Sequence, residues 1–532
     1  MHGNKMDSNG NESFPSLINY FAENTSMHGI SRFIGKTGFF RRTFWVLAVL
    51  TGAGVAMYNI WTIGTAYSSW KVSTVIKLEY NSKLRFPAVT ICNLNPVRKT
   101  SIDGVQAEFD DLKTALRYEN NSARTRDEDF PDWGNSSISF DAYDSDHRTA
   151  IDFQKVMATT KKALKVQIGH QIQDMLLDCS FQGKVCTPSN FTHFYNYMHG
   201  NCYTFIPKDE AFTFISKTGP LYGLALMLYV EEEKYISSLG SSGVGFKVVV
   251  HNHNTMPFPE DEGFDTSPGF ATSVGVTKVT TERVSAPYGN CKGYGSGVEE
   301  PPNIFTTQVP NITYSDQTCK KTCVQKMLVS ECGCCNNLYP CDHKALSIIN
   351  SSITNTVGFC ILQDETKAAC ASAVSDKLEN NQMFCPDSCD PNCKDESHQL
   401  EISTAMWPAS SHLSGLVDTF IKGFTKRQRA PPINKNASAD EKDDFFRRNM
   451  MRLNVFYKQL NYQKIQTKPA YDWRSLLSDV GGQAGLWLGF SLLTLAEILE
   501  LIVDVVIHLC TKPFRSNKGR VNPGEKRGEV HF

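Results

Sequence analysis

Gly481, Gly485 and Gly489 recur every fourth residue in one apolar run near the C-terminus, Val480 to Cys510 (VGGQAGLWLGFSLLTLAEILELIVDVVIHLC). A glycine inside a helix costs about 1 kcal/mol relative to alanine, so the repeat asks for a reason. Two are open: close helix packing through small residues, or a narrow pore where backbones converge and carbonyls face an ion. Glu497, Glu500 and Asp504 follow at i, i+3 and i+7, within about 60° of one another on a helix. Facing lipid, each would cost roughly 2.5–3.5 kcal/mol. That expense directs the acidic face to water or to partners and favours a cation pathway lined by acids, over the alternative that Glu500 and Asp504 merely reach the headgroup zone. One helix cannot enclose a pore, so this reading requires an oligomer.

The elements that must hold these residues emerge from the rest of the chain. Its 532 residues carry 54 Lys+Arg against 55 Asp+Glu, a net charge of -1. No basic excess supports nucleic-acid binding. Thr43 to Trp70 is free of formal charge and longer than the roughly 20 residues that cross a bilayer, so it reads as a first span; the run to Cys510 reads as a second. Sixteen of the 17 cysteines lie between the spans, from Cys92 to Cys393, with six Asn-x-Ser/Thr sequons at Asn120, Asn135, Asn190, Asn311, Asn350 and Asn436. An even cysteine number and glycosylation motifs place the middle in an oxidising exterior. Residues 1–42 hold 5 Lys/Arg and 3 Asp/Glu (net +2), and residues 511–532 hold 6 and 2 (net +4), as cytoplasmic flanks do. No cleavable signal peptide is expected before Thr43.

The expected organisation is a cytoplasmic N-terminus over 1–42, a first transmembrane helix over 43–70, an extracellular domain over 71–476, a second transmembrane helix over 477–510 and a cytoplasmic tail over 511–532. Within the exterior, Phe86 to Cys92, Cys202 to Phe205, Leu224 to Val230 and Phe246 to His251 read as strands, and Leu453, Val455 and Tyr457 alternate as strand residues do. Asp103 to Glu119 and Lys161 to Leu177 carry helical periodicity. The exterior is therefore an α+β, disulfide-rich domain. Cys319, Cys323, Cys332, Cys334, Cys335, Cys385, Cys389 and Cys393 have spacings that superficially suit zinc, but outside the cell disulfides are the better account. No metal or cofactor is expected. Metalloprotease, nucleophile-elbow and phosphate-loop motifs are missing from the sequence, so it is not read as an enzyme.

Arg126 to Arg148 interleaves seven acids with Phe130, Trp133, Phe140 and Tyr143. It is either a solvated acidic loop or a site for a cationic, aromatic ligand, attracted by carboxylates and held by ring contacts.

Gly489-Phe490-Ser491, with the leucine-rich run and acids after it, resembles the Gly-x-Ser sequence of the degenerin/epithelial sodium channel family. His28-Gly29 before the first span resembles its cytoplasmic His-Gly motif. Phe86 to Asn95 (FPAVTICNLN), Gly169 to Leu177 (GHQIQDMLL), Asn201 to Phe205 (NCYTF) and Ser478 to Gln483 (SDVGGQ) are similar to further family segments and fall in the family's order. The resemblance covers about residues 25–510.

It implies a trimer with two transmembrane helices per subunit. It also implies an ectodomain of palm, knuckle, β-ball, finger (about 101–178) and thumb (about 291–400), in a plasma-membrane channel that passes Na+ and is blocked by amiloride. Gly489, Phe490 and Ser491 would form the selectivity filter and Glu497, Glu500 and Asp504 the pore acids. Ser478, Asp479, His28 and Gly29 would serve gating, and Gly485 amiloride block. Phenylalanine departs from the small residue common at the filter's middle position.

Acid-sensing relatives carry a His-His pair before a Val-x-Lys-Leu strand, where this chain has Ser73-Thr74 before Val75-Ile76-Lys77-Leu78. Histidine is the usual switch near neutral pH. The family resembled here includes FMRFamide-gated sodium channels, whose ligand has the cationic, aromatic character suited to the acidic loop; with the histidine pair missing, the resemblance implies an extracellular FMRFamide-type peptide as the stimulus, bound by Phe130, Asp132, Trp133, Phe140, Tyr143 and Asp144 on a homotrimer. The alternatives are proton gating and constitutive opening.

Overall fold

The computed structural model describes residues 14–34, 38–103, 157, 160–207, 213–236, 243–294, 298–351, 353, 357–360, 365–380, 389–426, 432–434 and 436–515. The helix expected over Asp103 to Glu119, apart from Asp103 itself, and the acidic loop from Arg126 to Arg148, with all six ligand candidates, lie outside the described residues. The chain divides into two compact units, one of residues 1–73 and 468–532, the other of 74–467.

Fifteen strands are described. In chain order they are β1 (Val72–Tyr80), β2 (Leu84–Arg85), β3 (Ala88–Asn93), β4 (Leu176–Phe181) and β5 (Lys184–Val185), then β6 (Phe191–Asn196), β7 (Gly200–Phe205), β8 (Phe214–Ile215), β9 (Leu224–Tyr229) and β10 (Phe246–His251). The remainder are β11 (Phe264–Thr266), β12 (Phe270–Glu282), β13 (Lys394–Met406), β14 (Met450–Tyr457) and β15 (Asn461–Pro469). An eight-stranded sheet has the order β1-β15-β12-β14-β9-β4-β5, with β13 also on β12; a five-stranded sheet has the order β11-β10-β3-β7-β6.

The two sheets share one core. Leu224, Leu226 and Leu228 of β9 and Met451, Leu453, Val455 and Tyr457 of β14 are at most 1% exposed, and they cluster with Val89, Ile91, Phe205, Phe246 and Val248 of the smaller sheet. Alternation in β14 puts every second side chain into that core, the signature of a strand with one buried face. Strands β3 and β7 are buried at every position, so they carry no alternation.

Where one helix was expected over Lys161 to Leu177, the structure has a helix over Lys162–Ile168, a single turn over Ile172–Met175 and then strand β4. The helix ends at Gly169, where a Cβ would lie 2.6 Å from Asn201 Nδ2. The His170 carbonyl is taken by Asn201 Nδ2 at 3.1 Å and the Tyr203 hydroxyl at 3.0 Å. Pairing of Leu176 with Leu228 on β9 then wins over helical periodicity.

Seven disulfides are described: Cys92–Cys202, Cys179–Cys186, Cys291–Cys393, Cys319–Cys389, Cys332–Cys370, Cys334–Cys360 and Cys335–Cys341. Cys92 and Cys202 stand directly opposite on β3 and β7. Five of the seven hold the segment from Cys291 to Cys393, where small clusters around Cys323 and Cys335 supplement Ile304, Phe305 and Ile349, which are buried with Phe194 and Phe258. There each bridge contributes about 2–4 kcal/mol. Among the described residues no group of His, Cys, Asp and Glu could hold a metal ion.

Replacing Leu453 with alanine opens a cavity at the centre of the shared core and costs about 2–5 kcal/mol. Thermal unfolding of the purified channel should start at lower temperature, surface biotinylation should fall, and the ion selectivity of the surviving channels should be unchanged.

Candidate functional site

The unit formed by the chain ends contains helices α1 (Phe14–Asn24), α2 (Ile30–Ile34) and α3 (Phe39–Ser68), and near the C-terminus α4 (Trp473–Leu488) and α5 (Leu492–Arg515). Helix α3 is long and apolar enough to cross a membrane. The second apolar run, expected to be one helix over 477–510, is instead broken between α4 and α5.

Gly489 breaks it. Its φ of +68° is the left-handed region, costly for any residue with a Cβ, and a Cβ would also lie 2.5 Å from His28 Cδ2. Ser491 then starts α5: its Oγ accepts from the Thr494 amide at 3.2 Å, while its own amide donates to Thr494 Oγ1 at 3.1 Å. This reciprocal pair satisfies two amides that a new helix start leaves open.

The segment between α1 and α2 packs on this break. The His28 amide donates to the Leu488 carbonyl at 3.0 Å, Ser26 Oγ lies 2.7 Å from Thr494 Oγ1, and Glu497 accepts from Thr25 Oγ1 at 2.9 Å and the Ser26 amide at 3.0 Å. Gly29, at φ +83°, lets the chain turn back against α3; a Cβ there would meet Val49 Cγ2 at 2.7 Å. Helix α3 meets α4 where Asn59 Nδ2 donates to Gln483 Oε1 at 2.8 Å, and a Cβ on Gly52 would lie 3.2 Å from the Trp487 carbonyl oxygen.

The structure thus brings His28, Gly29, Gly489, Phe490, Ser491 and Glu497 together. Gly485 lies one turn above Gly489, whose amide donates to the Gly485 carbonyl at 3.0 Å. Glu500 and Asp504 are exposed farther along α5. Ser478 and Asp479 are exposed on α4, where the Tyr471 hydroxyl donates to Asp479. Sequence reading missed Thr25, Ser26, Asn59, Gln483 and Thr494. Only Thr494 had a signal, the three-residue spacing from Ser491 that suits a helix start.

In the other unit, a buried ionic cluster joins the residues flanking 104–156. Arg98 pairs with Asp174 at 3.1 Å and with Glu231 at 3.2 Å, and Lys234 also pairs with Glu231. Asn95 Nδ2 donates to the Val97 carbonyl at 2.6 Å, which fixes its amide orientation, and to His170 Nε2 at 2.9 Å. His170 Nε2 is therefore an acceptor, and Nδ1–H donates to Glu231 at 2.9 Å. The histidine is neutral. Burial lowers its pKa despite the adjacent carboxylate. Burial alone would raise Glu231, but the interaction with His170, the Arg98 charge and the Lys234 hydrogen bond bring it to about 2.

Burial likewise lowers His251 to about 3 and His199 and His398 to about 4, and depresses His193 and His253. These groups are shifted away from the range in which a proton switch works near neutral pH.

A family model described as amiloride-sensitive sodium channel matches residues 21–501. The chain belongs to that family, the degenerin/epithelial sodium channel family. It is 26% identical to the epithelial sodium channel subunit gamma of Pelodiscus sinensis (91% of this chain, 79% of the relative) and to that of Rattus norvegicus (91% and 81%). It is also 26% identical to the subunit alpha of Xenopus laevis, over 93% of this chain and 82% of the relative. The protein is a sodium channel of the plasma membrane with a disulfide-rich ectodomain.

Histidines depressed on folding bind protons more readily in the unfolded chain, so stability falls as pH drops from about 6.5 toward the folded values near 4. Glu231 adds a further loss as pH falls from about 4.5 through 2. The thermal midpoint of the purified channel should hold above pH 7 and decline progressively below 6.5; His251→Gln should flatten the decline.

Proposed function

We propose that this chain is the subunit of a trimeric, amiloride-blocked, sodium-selective channel with two membrane spans, both termini cytoplasmic and a pore narrowed at Gly489, Phe490 and Ser491. The observation that carries this reading is the break itself. Irregular backbone within the hydrocarbon region is tolerated only where it is buried in protein or lines a water-filled cavity. Nothing but glycine suits position 489, where both the left-handed backbone and the His28 ring exclude a Cβ. Glu500 and Asp504 are exposed on α5, and because a carboxylate facing lipid is costly they support an aqueous path beyond the break.

The stimulus we propose is an extracellular peptide of FMRFamide type acting on a homotrimer. The downward-shifted histidines disfavour protons, and the acidic aromatic loop supplies the recognition chemistry. A second reading, constitutive conduction in a mixed trimer, is favoured by the relatives named above, which are epithelial sodium channel subunits.

Two-electrode recording from oocytes separates these. A current evoked by FMRFamide supports peptide gating, a response to acid alone overturns it, and a standing amiloride-sensitive current establishes the second reading. In any of the three, Gly489→Ala should abolish current or sharply reduce Na+ over K+ preference, at about 1–2 kcal/mol of backbone strain before the steric clash is counted. Gly485→Cys should weaken amiloride block.

A further inference from the structure

We propose that Thr494 is a positioning and specificity-determining residue of the pore, whose hydroxyl staples the Gly489–Ser491 break and couples its geometry to Ser26 of the N-terminal segment. This rests on the reading of Gly489, Phe490 and Ser491 as the narrow belt.

Thr494 is fully buried, at 0% exposure, on a helix whose neighbouring positions are mostly exposed. Four polar groups converge on its one hydroxyl: the Ser491 amide at 3.1 Å, Ser491 Oγ at 3.2 Å, the Gly489 carbonyl at 3.3 Å and Ser26 Oγ at 2.7 Å. A hydroxyl donates one proton and accepts at two lone pairs. The Ser491 amide can only donate and the Gly489 carbonyl can only accept. Ser26, which can do either, donates to Thr494 and leaves the threonine proton for Gly489. That assignment fills the hydroxyl's capacity and ties the residues on both sides of Phe490 to one atom. The branched side chain restricts χ1, so the atom is held firmly.

Ser26 is fixed in turn. Its amide donates to Glu497 at 3.0 Å, and Thr25 Oγ1 donates to the same oxygen at 2.9 Å. A continuous hydrogen-bonded path runs from Glu497 through Ser26 and Thr494 to the Gly489 carbonyl. In this arrangement Glu497 acts as an anchor for the N-terminal segment, and displacement of that segment removes the donor that orients Thr494.

The test compares Thr494→Val, which keeps the shape and removes the hydroxyl, with Thr494→Ser, which keeps the hydroxyl, and with Ser26→Ala. Reversal potentials in paired Na+ and K+ solutions report permeability ratios, and surface biotinylation reports channel number. Thr494→Val should lower the Na+ over K+ ratio about two- to ten-fold, the factor expected for one lost hydrogen bond. Thr494→Ser should restore it, and Ser26→Ala should shift it in the same direction by less. Wild-type selectivity in Thr494→Val, or an equal shift in Thr494→Ser, overturns the proposal. Should Thr494→Val reach the surface without conducting, Ser26→Ala decides: an unchanged ratio overturns the coupling. Ser491→Cys serves as the control for the belt itself. If it leaves selectivity unchanged the belt reading fails; if it shifts selectivity while Thr494→Val does not, only the role of Thr494 fails.

Discussion

Backbone amides and carbonyls must find partners wherever water is scarce, and at Gly489 a long apolar helix gives up its own. Every other feature of the helical unit follows from how that loss is made good. The left-handed turn at Gly489 closes on the Gly485 carbonyl, Ser491 and Thr494 satisfy the amides of the new helix, and the His28 amide reaches the Leu488 carbonyl. The glycines at 29, 52 and 489 are places where a Cβ would press on a neighbouring side chain or carbonyl. They admit close approach, and the polar side chains of Thr25, Ser26 and Thr494 use it.

The ectodomain solves a different problem with different means. Its two sheets bury a shared apolar core, with disulfides at β3–β7 and beside β4. The segment from Cys291 to Cys393 adds five described cross-links to the apolar clusters it shares or holds itself. Between these regimes, the Arg98, Asp174, Glu231, His170 and Lys234 cluster ties the segments around Arg98 and Asp174 to the turn after β9. A carboxylate at 1% exposure is tolerable there because His170, Arg98 and Lys234 all donate to it. Burial, working against that carboxylate, keeps the histidine's pKa low.

Much of this was legible in the residues. The uncharged run that becomes helix α3 and the cysteine-rich middle were readable directly, because charge and redox chemistry act residue by residue. Alternation placed β14, and compact apolar runs placed β3 and β10. Periodicity failed at Lys161 to Leu177, where a tertiary claim on the His170 carbonyl and pairing with β9 replaced helix by strand, and over 477–510, where apolar composition masked the break.

The sequence by itself determined which segments are apolar enough for a bilayer, which part is cross-linked, and that Gly489 and Ser491 share a run with three acids. Only the tertiary structure decided that Glu497 turns to Thr25 and Ser26 while Glu500 and Asp504 do not, and that one threonine hydroxyl gathers four polar groups. Helical spacing puts the three acids on one face, but a partner 471 residues away in sequence leaves no trace in local pattern. Hydrogen bonds between segments so distant are set by folding of the backbone around glycine, and no periodicity records them.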